Sequence, residues 1–292
     1  MGMHRIGEGT MGYRLLASLM LLAVAFAAHA GGQGPKAVRE NIEASMLVTG
    51  TIHVDEAGKV TGYAIDRSDE VPAEVRRLLQ QAVPHWVFEP VRHQGAPAAV
   101  ETSMRVRVAA NKGDGGSVVL RVVAANFGDF APGEFPSSDE PRPPSYPREA
   151  LRQGVAGTVF LLAKIGRDGR VEDVIAEQVN LRYVAGENAM ERWRRLLAKV
   201  SMSAAKRWRF KIPTTGDAVD DAFWSVRIPV DFDLGDSGSP PYGAWRSYIP
   251  GPRTTAWWVE GDTASGADAY LAGGIYPVGM GPKLLTPLGG KG

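Results

Sequence analysis

The sequence predicts an α+β protein of two tandem small modules, each an antiparallel sheet of about three to four strands packed on one helix. Three observations predict this class. Strand-like segments come in pairs joined by glycine-containing turns, one amphipathic helix follows each pair, and this order of elements occurs twice. We divide the chain into a leader (1–30), a first module (31–127), a proline-rich linker (128–143), a second module (144–234) and a tail (235–292).

The second module has the clearer pattern. Residues 157–165 and 171–179 predict two strands, and Asp168-Gly169 between them favours a tight hairpin. Residues 226–234 alternate apolar and polar, which predicts a half-buried final strand. Between these strands we expect a helix with one apolar face, formed by Met190, Trp193, Leu197, Val200 and Ala204, and then a short strand containing Trp208-Arg209-Phe210.

The first module repeats this order more faintly. Residues 48–54 and 60–65 predict strands around a turn in which Ala57 replaces the aspartate of the second module. A helix should begin near Pro72 and end before Pro84. Two further correspondences support a tandem repeat: Trp86-Val87-Phe88 matches Trp208-Arg209-Phe210, and residues 104–108 echo residues 224–228.

The N-terminus has the pattern of a cleavable signal peptide. Basic residues precede an apolar stretch from Leu15 to Ala28, and small residues flank His29. We expect cleavage between Ala30 and Gly31, which would place the mature protein in the periplasm. The alternative is an uncleaved inner-membrane anchor facing the periplasm, although a spanning helix needs about 20 apolar residues.

The composition excludes several classes of function. The formal net charge of +1 gives no long-range field that favours nucleic acid. The absence of cysteine rules out disulfides, thiolate metal sites, cysteine nucleophiles and a lipidated cysteine.

Three local patterns could suggest chemistry or an anionic partner, and each has a simpler explanation. Residues 235–240 resemble the serine loop of chymotrypsin-like proteases, but His53, His85 and His93 lack the context of a triad. His85 and His93 also lack metal-ligand spacing. The basic residues of the predicted helix are typical of a solvated face. We therefore predict no enzyme activity, no cofactor and no metal site.

The linker and the tail differ in composition from the modules. Prolines crowd residues 132–147, which favours an extended linker over a packed one. The tail is rich in Gly and Pro but contains aromatic residues from Tyr242 to Tyr276. We interpret it as loosely ordered, with some rings against the modules and no role in their folding; the alternative is an aromatic strip that binds glycan or a partner.

The second module resembles the C-terminal domain of the TonB family. The resemblance covers residues 144–234 and lies in an opening motif, a glycine before the first strand, a hairpin turn and an aromatic strand after the helix. In this sequence those motifs are Tyr146, Pro147, Gly157, Asp168, Gly169, Trp208, Arg209 and Phe210. The first module looks like a degenerate copy.

This resemblance implies a fold and a mode of action. Members of the family are periplasmic modules that capture an extended peptide of outer-membrane receptors in transmembrane transport. The peptide adds a strand to an exposed sheet edge. The recipient edge in the family is the last strand, which corresponds here to Ser225, Val226, Arg227, Ile228, Pro229, Val230, Asp231 and Phe232.

Two functions from different classes follow. The first is a protein-binding module that engages an outer-membrane receptor or another envelope partner. The second is an envelope scaffold, in contact with peptidoglycan, without energy transduction. If the first holds, we expect the last strand to be an exposed edge, with Arg227 on the open sheet face and its side chain of modest importance.

Overall fold

The computed structural model describes residues 34–93, 95–138, 142–235, 241–259, 270 and 274–288. The predicted leader, with Ala30 and Gly31, lies outside this range. In the described part of the chain, no helix is both long enough and apolar enough to cross a membrane.

The first sheet is built around one long central strand. Strand β1 (Glu43–Val54) pairs on one side with β2 (Val60–Ile65) and on the other with β5 (Val100–Lys112), all antiparallel. Strand β6 (Val118–Phe127) then covers the outer edge of β5. Helix α2 (Ala73–Ala82) packs Val75 and Leu79 into the core of this sheet. A short helix α1 (Pro35–Glu40) precedes β1, and strands β3 (Arg92–His93) and β4 (Ala96–Pro97) form a small hairpin.

The second sheet is antiparallel in its described pairings. Strand β7 (Gly157–Gly166) lies between β8 (Val171–Leu181) and β9 (Phe223–Phe232), and β11 (Tyr276–Pro277) lies beyond β9. Helix α3 (Arg148–Arg152) opens the module, and helix α4 (Glu187–Ala205) packs on the sheet. The predicted α+β class with antiparallel sheets is confirmed. The apolar face of α4 differs from the predicted one at a single position: Ser201 is fully buried on it, whereas Val200 is only partly buried.

The two hairpins close in the same way. Gly58 and Gly169 both have positive φ, of 82° and 70°. Their carbonyl oxygens accept hydrogen bonds from the N–H of Phe88 and Phe210, at 2.7 and 2.9 Å. The short strands expected at residues 86–88 and 208–210 are isolated bridges and not strands, formed by Val87 with Lys59 and by Arg209 with Arg170. Each turn therefore holds the aromatic segment that follows the helix of its own module. Where the first turn lacks the aspartate, the Asp55 carboxylate caps it by accepting from the N–H groups of Ala57 and Lys59.

The pairing registers correct the expected echo between residues 104–108 and 224–228. Gly50 lies as far before the first turn as Leu161 lies before the second. Gly50 pairs with Met104, whereas Leu161 pairs with Ile228. Met104 therefore corresponds to Ile228 and not to Trp224, because side-chain alternation alone cannot fix how far a strand slides along its neighbour.

The linker is not a free extended spacer in its described part. Ser137 exchanges backbone hydrogen bonds with Lys211, and the Arg142 carbonyl oxygen accepts from the Trp208 indole N–H at 2.8 Å. Residues 130 and 135 bring their phenyl rings to 5.6 Å. The contacts with Trp208 and Lys211 fix the linker along the aromatic segment of the second module, a role that proline content does not reveal.

The expected loose tail is also corrected for its described residues. Strand β10 (Arg246–Tyr248) pairs with β1 of the first sheet, and the next residue, Ile249, exchanges backbone hydrogen bonds with Leu181 of β8 in the second sheet. We call residues 246–249 the strap, since this segment joins both sheets. Further along, Leu284 is buried against the core of the first module.

Candidate partner-binding edge

Strand β9 contains all the residues expected to receive a partner. Val226, Ile228, Val230 and Phe232 point to the core that includes Trp193 and Leu197 of α4. One edge of β9 pairs with β7 along the whole length of the strand, from Phe223 to Phe232. The strand is thus held firmly by one neighbour and by the helix beneath it.

The opposite face of β9 is covered, contrary to expectation. The Arg227 side chain is 2% exposed and forms a bidentate ion pair with Glu177 of β8, at 2.7 and 2.9 Å. Arg253 of the tail adds a third contact to the Glu177 carboxylate at 3.1 Å. Arg227 does not lie on an open sheet face, because the tail covers the surface that alternation alone assigns to solvent.

The edge of β9 is also partly occupied. Strand β11 pairs Tyr276 with Arg227 and Pro277 with Val226, and the Val278 N–H donates to the Ser225 carbonyl oxygen at 2.9 Å. The expectation of an edge exposed over residues 225–232 is therefore wrong at residues 225–227. The covering segment belongs to the tail, and no pattern in the sequence places that tail beside this strand.

The remainder of the edge has no neighbour among the described strands. Beyond Arg227, β9 pairs only with β7 in the described part of the chain. Along a strand, the backbone N–H and C=O groups of successive residues point to alternate edges. Since the Ser225 carbonyl points towards β11, the backbone groups of Arg227, Pro229 and Asp231 point to the same edge. Pro229 lacks an N–H, which is tolerated where no ladder partner is required.

An ion-pair cluster marks the far end of this edge. Asp231 and Asp233 both contact Arg246 of the strap, at 3.1 and 3.0 Å. Arg182, which follows β8, pairs with Asp231 at 2.9 Å and with Asp233 at 3.9 Å. The cluster is partly buried, so it fixes the end of β9 against both the strap and β8.

The motif residues lie around the core and not at the edge. The Tyr146 hydroxyl donates to the Val155 carbonyl oxygen at 2.6 Å, and its ring meets Phe232 edge-on at 5.3 Å. Burial raises the pKa of Tyr146 above its ordinary value. Pro147 precedes α3, and Gly157 opens β7 where a Cβ would lie 2.7 Å from the Asn180 carbonyl oxygen.

The remaining motif residues close the hairpin. The Asp168 carboxylate accepts from the Arg170 N–H at 2.9 Å, and Gly169 bonds to Phe210 as described above. Trp208 is 5% exposed, whereas Arg209 is exposed and its guanidinium donates to the Trp208 carbonyl oxygen. These contacts explain the motif as a folding signature of the module.

The first module offers a built-in comparison for the edge. Strand β6 pairs with β5 from Met104 to Lys112, on the side that corresponds to the open side of β9. The first module has therefore filled with its own chain the position that an added strand would take. Only the second module keeps part of this edge unpaired within the described residues.

The described residues hold no group of three or more His, Asp or Glu side chains placed to bind a metal ion. His53 lies 3.5 Å from Glu101 at the surface, and His85 and His93 are exposed. The protease-like loop falls mainly on residues 236–240, outside the described range. Sequence reasoning missed Glu177, Arg253 and Tyr276, since nothing in their spacing indicates which strand or tail segment they meet.

Comparison with known proteins finds relatives of the second module. Residues 142–179 match the model of the family described as Gram-negative bacterial TonB protein C-terminal. The second module is similar to the TonB C-terminal domain. The match spans the opening and the first hairpin of this TonB-like module, while β9 lies beyond its last residue.

Two curated relatives agree with this finding. Both are described as "Protein TonB", from two strains of Xanthomonas campestris pv. campestris, and both are 34% identical over 98 residues. That stretch is 34% of this chain and 38% of each relative, so the chain matches well under half the length of those proteins. No solved structure matches this chain.

Proposed function

We propose that the TonB-like module binds an extended segment of another envelope protein by strand addition at the edge of β9, in TonB-dependent transport. The observation that supports this most directly is the edge of β9 beyond Arg227, which has no partner among the described strands. In the first module, β6 fills the equivalent edge. An added strand would gain the outward backbone groups of Pro229 and Asp231.

The partner class follows from the resemblance. Modules of this family take extended segments of outer-membrane receptors, and the relatives of this chain are themselves described as TonB proteins. A receptor segment facing the periplasm is therefore the partner we propose, together with a location on the periplasmic side of the envelope. Main-chain hydrogen bonds would supply most of the affinity, and no reaction is required of any side chain.

Asp231 provides the sharpest test of strand addition. Its N–H faces the open edge, so a proline at this position removes a donor that an added strand would use. A proline at position 227 is a poorer test, because Arg227→Pro would also break the buried pair with Glu177 and so affect folding as well as binding. A short peptide selected from a displayed library should bind Asp231→Pro about tenfold more weakly than Asp231→Ala, because only the proline removes the donor. Both variants lose the same ion pairs, so the alanine form is the matched control. Equal affinities, measured by fluorescence polarisation on folded variants, would reject the edge as the binding site.

The identity of the partner requires a second experiment. A photo-crosslinking residue at position 231 should capture an outer-membrane receptor from envelope extracts. The control places the same group at position 118, which is 70% exposed on the first module. A receptor found at both positions, or at neither, would contradict the proposed partner.

One observation favours the second candidate, an envelope scaffold. The strap joins both sheets, and the tail also pairs with β9 through β11 and with the first module at Leu284, as a protein that works as one rigid body would need. Sedimentation of the whole chain with purified peptidoglycan tests this function. Co-sedimentation without any peptide binding at β9 would favour the scaffold over the transport role.

A further inference from the structure

The contact between β11 and β9 is small compared with the pairing that fills the equivalent position in the first module. Strand β11 has two Cα partners on β9, at Val226 and Arg227, and Val278 adds one backbone hydrogen bond to Ser225. The corresponding strand of the first module, β6, pairs from Met104 to Lys112. Each net hydrogen bond contributes only about 0.5–1.5 kcal/mol, so the pairing of β11 is weak in comparison.

We propose that residues 275–278 are an internal occupant of the β9 edge, which an incoming peptide strand displaces in order to pair with residues 225–231. This inference rests on the proposed function, since it describes how the same edge is regulated. The occupant lowers the apparent affinity for the partner, because the edge is available only in the fraction of molecules in which the occupant has left.

The surroundings of β11 allow such an exchange. Pro277 offers no N–H to the ladder, and Gly279 and Gly281, both with a φ of 80°, allow the chain to turn immediately after the segment. On either side the tail is also held by the first module. Tyr270 packs on Ala124 of β6 while its ring lies 4.5 Å from that of Tyr276 in β11, and Leu284 is buried in the first module. A displaced segment would remain tethered and would return at high effective concentration.

The side chains of the occupant indicate the chemistry of the partner. Ile275 packs against the core beneath the sheet, whereas Val278 joins the apolar cluster of Leu162 and Trp258 on the opposite face. A strand in this position thus meets apolar surface on both faces of the sheet. The partner we expect is a short extended segment with apolar side chains pointing both ways, and not one with a polar face.

The first test uses a synthetic peptide with the sequence of residues 274–281 as the probe. Val278→Pro removes the N–H that donates to Ser225, while the matched control Val278→Ala keeps that N–H and loses the side chain. The peptide should bind Val278→Pro about tenfold more tightly than Val278→Ala, as expected for one lost internal hydrogen bond. Equal affinities would overturn the inference, and a scrambled peptide reports nonspecific binding.

The second test measures displacement directly and does not depend on how well the proline variant folds. The chain has no cysteine, so Val278→Cys introduces a single thiol beside β9. Saturation with the library-selected peptide should accelerate labelling of this thiol, because the segment leaves the edge. Full peptide binding with an unchanged or slower labelling rate would show that the peptide binds beside the tail and would overturn the inference.

These outcomes separate the two proposals. Binding of the selected peptide that is sensitive to Asp231→Pro, with no change in Val278→Cys labelling, supports strand addition and rejects the occupant. Binding of the tail peptide to Val278→Pro, without any envelope protein captured at position 231, supports the occupant and rejects the receptor as partner.

Discussion

At the scale of single residues, the Arg227–Glu177 ion pair is the buried polar contact on which the outer face of the second sheet depends. Both side chains are almost fully buried, and the carboxylate also receives Arg253 from the tail. Replacing Glu177 by alanine would leave the Arg227 charge buried without this partner. We expect Glu177→Ala to reduce the free energy of unfolding by about 3–5 kcal/mol.

The control for this prediction is a pair on the surface. Glu191 and Arg195 form an ion pair on an exposed face of α4. Glu191→Ala should change stability by no more than about 0.5 kcal/mol, because exposed pairs are screened by solvent. Urea denaturation of both variants makes the comparison, and similar effects at the two sites would contradict the stabilising role of the buried pair.

Trp208 combines burial with one hydrogen bond to the linker. Trp208→Ala should cost about 3–5 kcal/mol, since it removes a large buried ring. Trp208→Phe retains much of that ring and loses the bond to the Arg142 carbonyl oxygen. If thermal and urea unfolding show the phenylalanine variant to be as unstable as the alanine variant, the hydrogen bond and not the packing dominates.

At the scale of elements, the two hairpin turns should respond alike to substitution. A Cβ at Gly58 or Gly169 would lie 2.0 or 2.2 Å from the carbonyl oxygen of Phe88 or Phe210, so the aromatic segment would have to move. We expect Gly58→Ala and Gly169→Ala each to cost more than Gly95→Ala. Gly95 has a φ of 84° but open space around its Cβ position, so it measures only the backbone strain, about 1–2 kcal/mol. Three equal losses on urea denaturation would show that the close approach to the aromatic segment is not stabilising.

These elements also show what the sequence could and could not predict. The turn at Gly169 and the apolar face of α4 are local signals, because turn geometry and side-chain periodicity depend on near neighbours along the chain. The expected strand at Trp208 is only an isolated bridge, since its pairing depends on distant residues. The burial of Arg227 depends on a tail segment that is distant in sequence. The alternation of side chains along β9 correctly predicted the inner face of the strand. It wrongly predicted an open outer face, because spacing within the strand carries no information about which distant segment covers it.

At the scale of the whole molecule, the tail contributes buried side chains to both modules. Tyr248, Ile249, Trp258 and Leu284 are each 9% exposed or less. Since fully burying a large apolar side chain contributes about 1.5–3 kcal/mol, a chain ending at residue 240 should unfold at a lower temperature and in separate transitions. This expectation replaces the sequence-based one of a tail without a role in folding. Calorimetry of the two chains checks it, and an unchanged single transition after truncation would show that the tail is dispensable.

The short strand β11 also has a consequence in time. If residues 275–278 must leave before a peptide pairs with β9, the observed association rate should level off at high peptide concentration, at the rate at which the tail opens. Segment motions of this kind take nanoseconds to microseconds for loops and longer where packed side chains must separate. Because Ile275, Tyr276 and Val278 are packed, opening of this segment belongs to the slower class, and partners are exchanged on a timescale set by the chain itself.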